Sequence, residues 1–290
     1  MDLIVHGGAG SAPDEPAKRQ RALDEAVTAG VAERNPLDAV EVAIRALEHD
    51  PLFNAGIGAS VQADGVPRTD AGLMTEDRSI GSVASMPGVE HAVTAARVVM
   101  EETPHVQIAG VHAVDLAEAF DVPVEVDLWS DRTRERWEEL DAPPHHPEVQ
   151  LDWVTSNFGD GDGAAGPLDT VGAVARDGDE IAAATSTGGR WAAMAGRVGD
   201  VPQVGSGFFA TEAAGASATG SGEDIVRTTV AKDAVSAIED GLEADAAADR
   251  AIDAFAEHAE GTAGVIVADA EGGLGSAFDS EAMQTATARR

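Results

Sequence analysis

Threonines next to glycine recur in the second half of the chain. Thr170 opens the strand-like run Thr170-Val171-Gly172-Ala173-Val174-Ala175 soon after Gly159-Asp160-Gly161-Asp162-Gly163-Ala164-Ala165-Gly166-Pro167, a mobile linker by composition. Thr187 ends Thr185-Ser186-Thr187 ahead of Gly188, and Thr219 precedes Gly220. A threonine hydroxyl inside a chain is a poor nucleophile. At a chain start its own α-amine, with a reference pKa of roughly 7.7–8.0, can serve as general base, so attacker and proton acceptor are one residue. The same residues also read as two domains joined by a linker, with Thr170 present for its β propensity alone. Arg197 and Asp200 share a glycine-rich turn ahead of Pro202. Arginine is suited to bidentate carboxylate binding, and an Arg-x-x-Asp pair is also the spacing of a surface ion pair. Gly220-Ser221-Gly222 ahead of a helix start suits main-chain donors aimed at an anion.

These residues need elements to position them. Leu3-Ile4-Val5 reads as a buried strand ending in the turn His6-Gly7-Gly8-Ala9-Gly10. Helices are expected over 16–33 and from the cap Asn35, with Pro36 at the first helical position, to Asp50-Pro51. A glycine-punctuated loop over 52–59 carries Asn54 towards strand-like Ser60-Val61-Gln62, and a short helix covers 89–101. The stretch 131–169 changes character and reads as a linker and tail. A hairpin turning at Asp177-Gly178 joins the strand at Thr170 to one over 180–187. A helix starts at Glu223-Asp224 and runs past Ala237, another covers 243–257, and 264–268 is a strand. Short, hairpin-linked strands with clustered helices suit an α+β layered sandwich in one domain. No solenoid-type repeat occurs.

The 290 residues include 52 acidic and 19 basic side chains, a formal charge of −33, with 43% hydrophobic residues. That charge argues against nucleic acid and anionic membranes as partners, while the apolar content argues for a packed core. Two of the 19 basic residues are lysines, Lys18 and Lys232, and tyrosine is absent. This composition resembles that of salt-loving microbes, where a Debye length of about 3 Å near 1 M salt screens the self-repulsion. Without cysteine, disulfides, thiolate nucleophiles, zinc fingers and iron–sulfur clusters are excluded. Leu3–Val5 is too short for a signal-peptide core and no apolar run spans a membrane, so a cytoplasmic location is expected.

Motifs in both halves resemble the plant-type asparaginase and isoaspartyl peptidase family of N-terminal-nucleophile hydrolases. They are His6-Gly7-Gly8-Ala9-Gly10, Pro51-Leu52-Phe53-Asn54-Ala55-Gly56-Ile57-Gly58, Ala95-Ala96-Arg97-Val98-Val99-Met100, Asp169-Thr170-Val171-Gly172, Thr185-Ser186-Thr187-Gly188-Gly189, Gly196-Arg197-Val198-Gly199-Asp200 and Thr219-Gly220-Ser221-Gly222-Glu223. They fall in family order and span nearly the whole chain. The resemblance implies a four-layer αββα sandwich made as an inactive precursor that cuts its own Asp169–Thr170 bond, giving an α chain of 1–169 and a β chain of 170–290. Thr170 would attack the side-chain amide of asparagine or the isopeptide carbonyl of β-aspartyl dipeptides, with Thr187 orienting it. Thr219 and the Gly220 N–H would form the oxyanion hole, with Asn54 a further candidate near the developing charge. Arg197, Asp200 and Gly222 would bind substrate, whereas Ser221 and Glu223 lie where the family varies. The resemblance also implies a structural sodium ion on the backbone carbonyls of Leu47, Glu48, Asp50, Phe53, Ala55 and Ile57, no catalytic cofactor, and a homodimer of αβ units.

Glycosylasparaginase shares the Asp-Thr-x-Gly start and mechanism, and Asp169 is a likeness to it; missing cysteines and signal peptide favour the asparaginase side. Two readings outside catalysis compete. Gly205-Ser206-Gly207-Phe208-Phe209-Ala210 fits a GxGxxA nucleotide fingerprint, but it lacks room for a full helix before Gly215. A relative that never cleaves itself would be inert. His145-His146 falls in the variable stretch, and no HExxH zinc signature is present.

Overall fold

A computed structural model describes residues 1–140, 146–158 and 170–290. Among them the chain runs β1 (Asp2–Gly10), α1 (Pro16–Val31), α2 (Pro36–His49), β2 (Arg68–Thr75), β3 (Ile80–Pro87), α3 (Ala92–Glu102), β4 (Gln107–Ala109), α4 (Val111–Ala119), α5 (Asp131–Glu138) and α6 (Pro147–Phe158). The second half forms β5 (Val171–Asp177), β6 (Glu180–Thr187), β7 (Phe208–Ala210), β8 (Ala214–Gly220), α7 (Gly222–Thr228), α8 (Val230–Glu239), α9 (Ala244–Ala256), β9 (Ala263–Asp269), β10 (Leu274–Phe278) and β11 (Ala282–Arg289).

One sheet has the order β11-β1-β5-β6-β2-β3-β4 and the other β10-β9-β8-β7. Side-chain alternation fixes how they stack. Leu3, Val5, Ala173, Ala175, Ala182 and Ala184 face α1, α2 and α3, burying Leu23, Ile44 and Val99 against them. The intervening positions Ile4, Val174 and Ala183 face Phe208 and Ile266 of the second sheet. Ala216, Val265 and Val267 on its far side meet α8 and α9. The result is the expected αββα sandwich. The two sheets approach closely because the contact face is built from small residues: a Cβ on Gly72 would lie 2.0 Å from Phe208, and one on Gly215 2.9 Å from Val174.

Local signals explain several elements. Asn35 Oδ1 accepts from Asp38 N–H at 2.8 Å and Pro36 leads α2. Gly178, at φ +61°, makes the β5–β6 turn. The helix expected from Glu223 past Ala237 is instead two, broken at Thr229 with φ +54°. Tertiary contacts override the continuous helical pattern there, because the Lys232 amide donates to the Gly205 carbonyl at 2.9 Å. Ser60-Val61-Gln62 is no strand; Val61 makes an isolated bridge to Pro67. Ala210 ends a strand rather than a helix turn, which removes the nucleotide fingerprint.

Within the stretch read as linker and tail, the described residues of 131–158 are instead helical. Ser130 and Thr133 form a capping box at the head of α5. The segment docks through tryptophan: Trp129 and Trp137 pack edge-to-face at 6.1 Å, Trp137 and Trp191 at 6.3 Å, and the Arg136 guanidinium lies 4.3 Å from the centre of the Trp191 ring. Trp153 of α6 joins the cluster. Residues 159–169, with Asp169 and the glycine-rich run, lie outside the described residues, as does His145.

Candidate active site

The strand register assembles the threonines. Val171 pairs with Ser186 and Gly172 with Thr185, so one step further places Thr170 beside Thr187. By alternation Thr170, Thr185, Thr187, Ser217 and Thr219 all project between the sheets. The Thr170 hydroxyl donates to Thr187 Oγ1 at 3.1 Å. Thr187 Oγ1 also accepts from Gly189 N–H at 3.1 Å and faces the Asn54 carbonyl at 3.5 Å. Thr170 is 8% exposed, so its hydroxyl is sheltered yet reachable.

Thr219 Oγ1 accepts from Ala9 N–H at 3.3 Å. An acceptor role fixed by that amide turns the hydroxyl hydrogen away, leaving it to donate into the gap. Gly220 follows with φ +140°, where a Cβ would lie 2.2 Å from the Thr262 carbonyl; only glycine fits this turn.

Arg197 and Asp200 converge at Gly222. A Cβ there would lie 2.7 Å from Asp200 Oδ1 and 2.8 Å from Arg197 Nη2, so the glycine keeps open the space where the two charges meet. Asp200 Oδ2 is buried without a hydrogen-bond partner. Burial raises the Asp200 pKa to about 6, against the pull of Arg197. Burial works against the charged Arg197, but hydrogen bonding and charge from Glu223, with the charges of Asp200 and Asp70, hold its pKa above the ordinary value.

Three participants carry no role in the sequence reading, although Glu223 and His6 stand in its motifs. Glu223 grips the Arg197 fork through Nε–Oε1 at 2.9 Å and Nη2–Oε2 at 2.8 Å. Asp70 of β2 pairs in register with Thr187 and is 3% exposed. Burial lifts its pKa to about 7, opposed by the Ser85 N–H donated at 2.6 Å and by Arg197, and assisted by Asp200. A carboxylate directly ahead of the apolar run Ala71-Gly72-Leu73-Met74 is the one signal that could have found it. His6, the third, lies between the sheets with 0% exposure.

Asn54, expected near the developing charge, has its side chain engaged by the loops around the site. Its Nδ2 donates to the Gly189 carbonyl at 2.6 Å and its Oδ1 accepts from Ser60 N–H at 2.7 Å, so the side chain ties the 52–60 loop to the turn after Thr187. In the loop after α2, Ile57 N–H donates to Glu48 O at 2.8 Å, Phe53 N–H to Asp50 O at 3.1 Å and Asp50 N–H to Leu47 O at 3.3 Å. A Cβ on Gly56 would lie 2.2 Å from Glu48 O. The loop thus wraps the helix end with neutral oxygens, each of the three bonded carbonyls keeping a second lone pair, and this donor set fits a small hard cation. Among the described residues no group of three or more His, Asp or Glu could hold a metal, and no helix is long and apolar enough to cross a membrane.

Comparison with known proteins agrees with this geometry. A family model described as asparaginase matches residues 1–290. The chain is 40% identical over 291 residues to a plant-type L-asparaginase of Pyrococcus abyssi, covering 98% of this chain and 95% of that protein. It is 38% identical over 305 residues to an isoaspartyl peptidase of Salmonella typhimurium, covering 98% and 94%. It is 35% identical over 297 residues to an isoaspartyl peptidase/L-asparaginase of Macaca fascicularis, covering 99% and 92%.

Proposed function

This chain belongs to the asparaginase family of N-terminal-nucleophile hydrolases, and we propose that it hydrolyses the side-chain amide of L-asparagine and the isopeptide bond of β-aspartyl dipeptides after cutting itself before Thr170. It is a hydrolase of amide bonds. The names of its relatives favour these substrates over the glycan–asparagine bond of glycosylasparaginase. The observation that carries the reading is Thr170 at the head of β5, its hydroxyl 3.1 Å from Thr187 Oγ1 in the gap between the sheets.

In the precursor the Thr170 nitrogen is an amide and cannot accept a proton. Attack of its hydroxyl on the Asp169 carbonyl moves the acyl group from nitrogen to oxygen, which frees the amine, and water then cleaves the resulting ester to release the Asp169 carboxylate and the Thr170 hydroxyl. The mature Thr170 Oγ then attacks the substrate β-carbonyl while the α-amine takes the hydroxyl proton. The Thr219 hydroxyl and Gly220 N–H stabilise the oxyanion, one such donor being worth about 3–4 kcal/mol. The tetrahedral centre collapses with the leaving amine taking the proton back from the α-ammonium. Water hydrolyses the β-aspartyl ester and restores Thr170. Arg197 holds the α-carboxylate, and the unpartnered Asp200 Oδ2 receives the α-ammonium.

A sodium ion on the carbonyls of Leu47, Glu48, Asp50, Phe53, Ala55 and Ile57 would hold the loop carrying Asn54, and takes no part in the reaction. The unit that acts is a homodimer of αβ units in the cytoplasm.

Mass spectrometry with N-terminal sequencing tests the reading. The purified protein should show a new terminus at Thr170 and release ammonia from asparagine. Thr170→Ala should remain one chain of 29.6 kDa without hydrolysis, and Thr170→Ser should keep some of both activities because a hydroxyl stays beside the amine. An intact wild-type chain that turns over asparagine would refute the mechanism.

A further inference from the structure

His6 is a buried polar group that the scheme above leaves idle. Strand β1 shifts register between His6 and Ala9, and Gly8 sits at φ +102°. This bulge sends the ring and the Ala9 amide into the gap between the sheets. His6 Nδ1 accepts from Gly8 N–H at 3.3 Å, so the one proton of the neutral ring sits on Nε2. Burial keeps the ring neutral by lowering its pKa to about 3, although the nearby Thr170 main chain favours the charged form.

From Nε2 a single chain of hydrogen bonds crosses the gap. Nε2 lies 3.0 Å from Ser217 Oγ, Ser217 Oγ lies 2.6 Å from Thr185 Oγ1, and Thr185 Oγ1 donates to the Gly207 carbonyl at 2.7 Å. An N–H at one end and a carbonyl at the other leave each hydroxyl one direction: Ser217 accepts from His6 and donates to Thr185, which donates to Gly207. All three side chains have 0% exposure. The near end lies against the head of β5, two residues after the candidate nucleophile, since His6 pairs with Gly172 in the β1–β5 register. At the far end a Cβ on Gly207 would lie 2.8 Å from the Asp200 carbonyl and 2.6 Å from Val201 Cα, so this residue abuts the backbone of the ammonium-binding turn. A Cβ on Gly172 would lie 2.0 Å from Ser217 Oγ and 2.2 Å from His6 Nε2; β5 can cross the chain only as glycine.

We propose that His6, acting through Ser217 and Thr185, is a positioning residue that sets the distance between the head of β5, where Thr170 stands, and the Asp200 turn. The inference rests on Thr170 being the nucleophile. None of the three side chains touches the reacting atoms. They hold attacker and ammonium acceptor in one rigid frame across two sheets, and an attacking atom misplaced by about an ångström can cost on the order of a hundredfold in rate.

The experiment compares Thr185→Val, Ser217→Ala, His6→Gln and His6→Leu with wild type, in full-length protein allowed to mature, with turnover normalised to the number of Thr170 chain starts. Thr185→Val keeps the shape and removes the link to Gly207. It should slow the appearance of the Thr170 terminus and lower kcat for asparagine roughly tenfold to a hundredfold, with KM within about twofold. His6→Gln, whose amide can donate near the Nε2 position, should recover much of the kcat lost in His6→Leu, or, where His6→Leu does not fold, match Ser217→Ala or better it. A wild-type kcat per chain start in Thr185→Val, or losses in all variants that only follow the drop in Tm, would overturn the positioning role. A wild type that releases neither ammonia from asparagine nor amino acid from β-aspartyl dipeptides would overturn the nucleophile assignment itself, and the inference with it.

Discussion

Arg197 and Glu223 are joined by two parallel hydrogen bonds, 2.9 and 2.8 Å long, so the guanidinium fork that suits a substrate carboxylate is already engaged by one of the protein's own. The Glu223 side chain is 48% exposed, and pairs with an exposed partner contribute only about 0.2–1 kcal/mol. An incoming α-carboxylate can therefore displace it. Glu223→Gln should lower KM for asparagine about two- to fivefold with kcat little changed. Steady-state kinetics decide, and a higher KM would mean that Glu223 supports Arg197 rather than competing for it.

Asp200 titrates near pH 6 because it is buried, and only its charged form can hold an ammonium group. The Thr170 amine of the mature enzyme must be unprotonated to accept the hydroxyl proton, with a reference pKa of roughly 7.7–8.0. As pH falls, kcat/KM should first lose one power of ten per unit as the amine protonates, then two below about pH 6. Asp200→Asn should lose affinity and keep the single slope throughout. A double slope surviving in that variant would assign the second proton elsewhere.

Asp70 has its folded pKa raised to about 7, above the ordinary 3.8. Between these values the unfolded chain binds fewer protons than the folded one, so this group lowers stability as pH rises through 7 and ceases to do so below about 4. Asp70→Asn keeps an acceptor for the Ser85 amide and removes the charge. It should raise stability at pH 8 by roughly 1–3 kcal/mol and make no difference near pH 4. Denaturant titrations at the two pH values test this; a gain equal at both would point to packing instead.

A charge of −33 on 290 residues should make folding depend on salt. All four tryptophans, Trp129, Trp137, Trp153 and Trp191, share one cluster, so intrinsic fluorescence reports directly on the docking of α5 and α6. Dialysis from about 2 M to below 0.1 M salt should red-shift the emission and lower Tm. A Tm unaffected by salt would discard the halophilic reading.

The parts of the site that work through local chemistry were legible in the sequence. Thr187 and Thr219 each sit beside glycine near a strand end, Thr170 heads a strand-like run, and the β5–β6 register then follows from a hairpin whose turn, Asp177-Gly178, is written in the chain. Helix α2 was equally readable, since Asn35, Pro36 and Asp38 act within one turn. Strands β2, β3 and β11 were not. β2 and β3 are buried on both faces, as in Ala71-Gly72-Leu73-Met74, and show no alternation of polar and apolar positions, while β11 alternates only over Thr285-Ala286-Thr287-Ala288-Arg289 with alanine as its apolar residue, a weak strand signal. Glu223, Asp70 and His6 stayed hidden for a related reason. Their importance comes from partners 26, 127 and 211 positions away, at Arg197, Arg197 and Ser217, and no local pattern carries such a relation.

The strand order of the larger sheet, β11-β1-β5-β6-β2-β3-β4, alternates between the two sides of the peptide bond before Thr170. β1 is wedged between β11 and β5, and β6 lies against β2, so pieces from before and after that bond are laced together at three seams. Scission there would leave two polypeptides that cannot part without tearing hydrogen-bonded ladders. Architecture of this kind dictates a sequence of events: the weave must be completed while the thread is whole, and only then can it be cut.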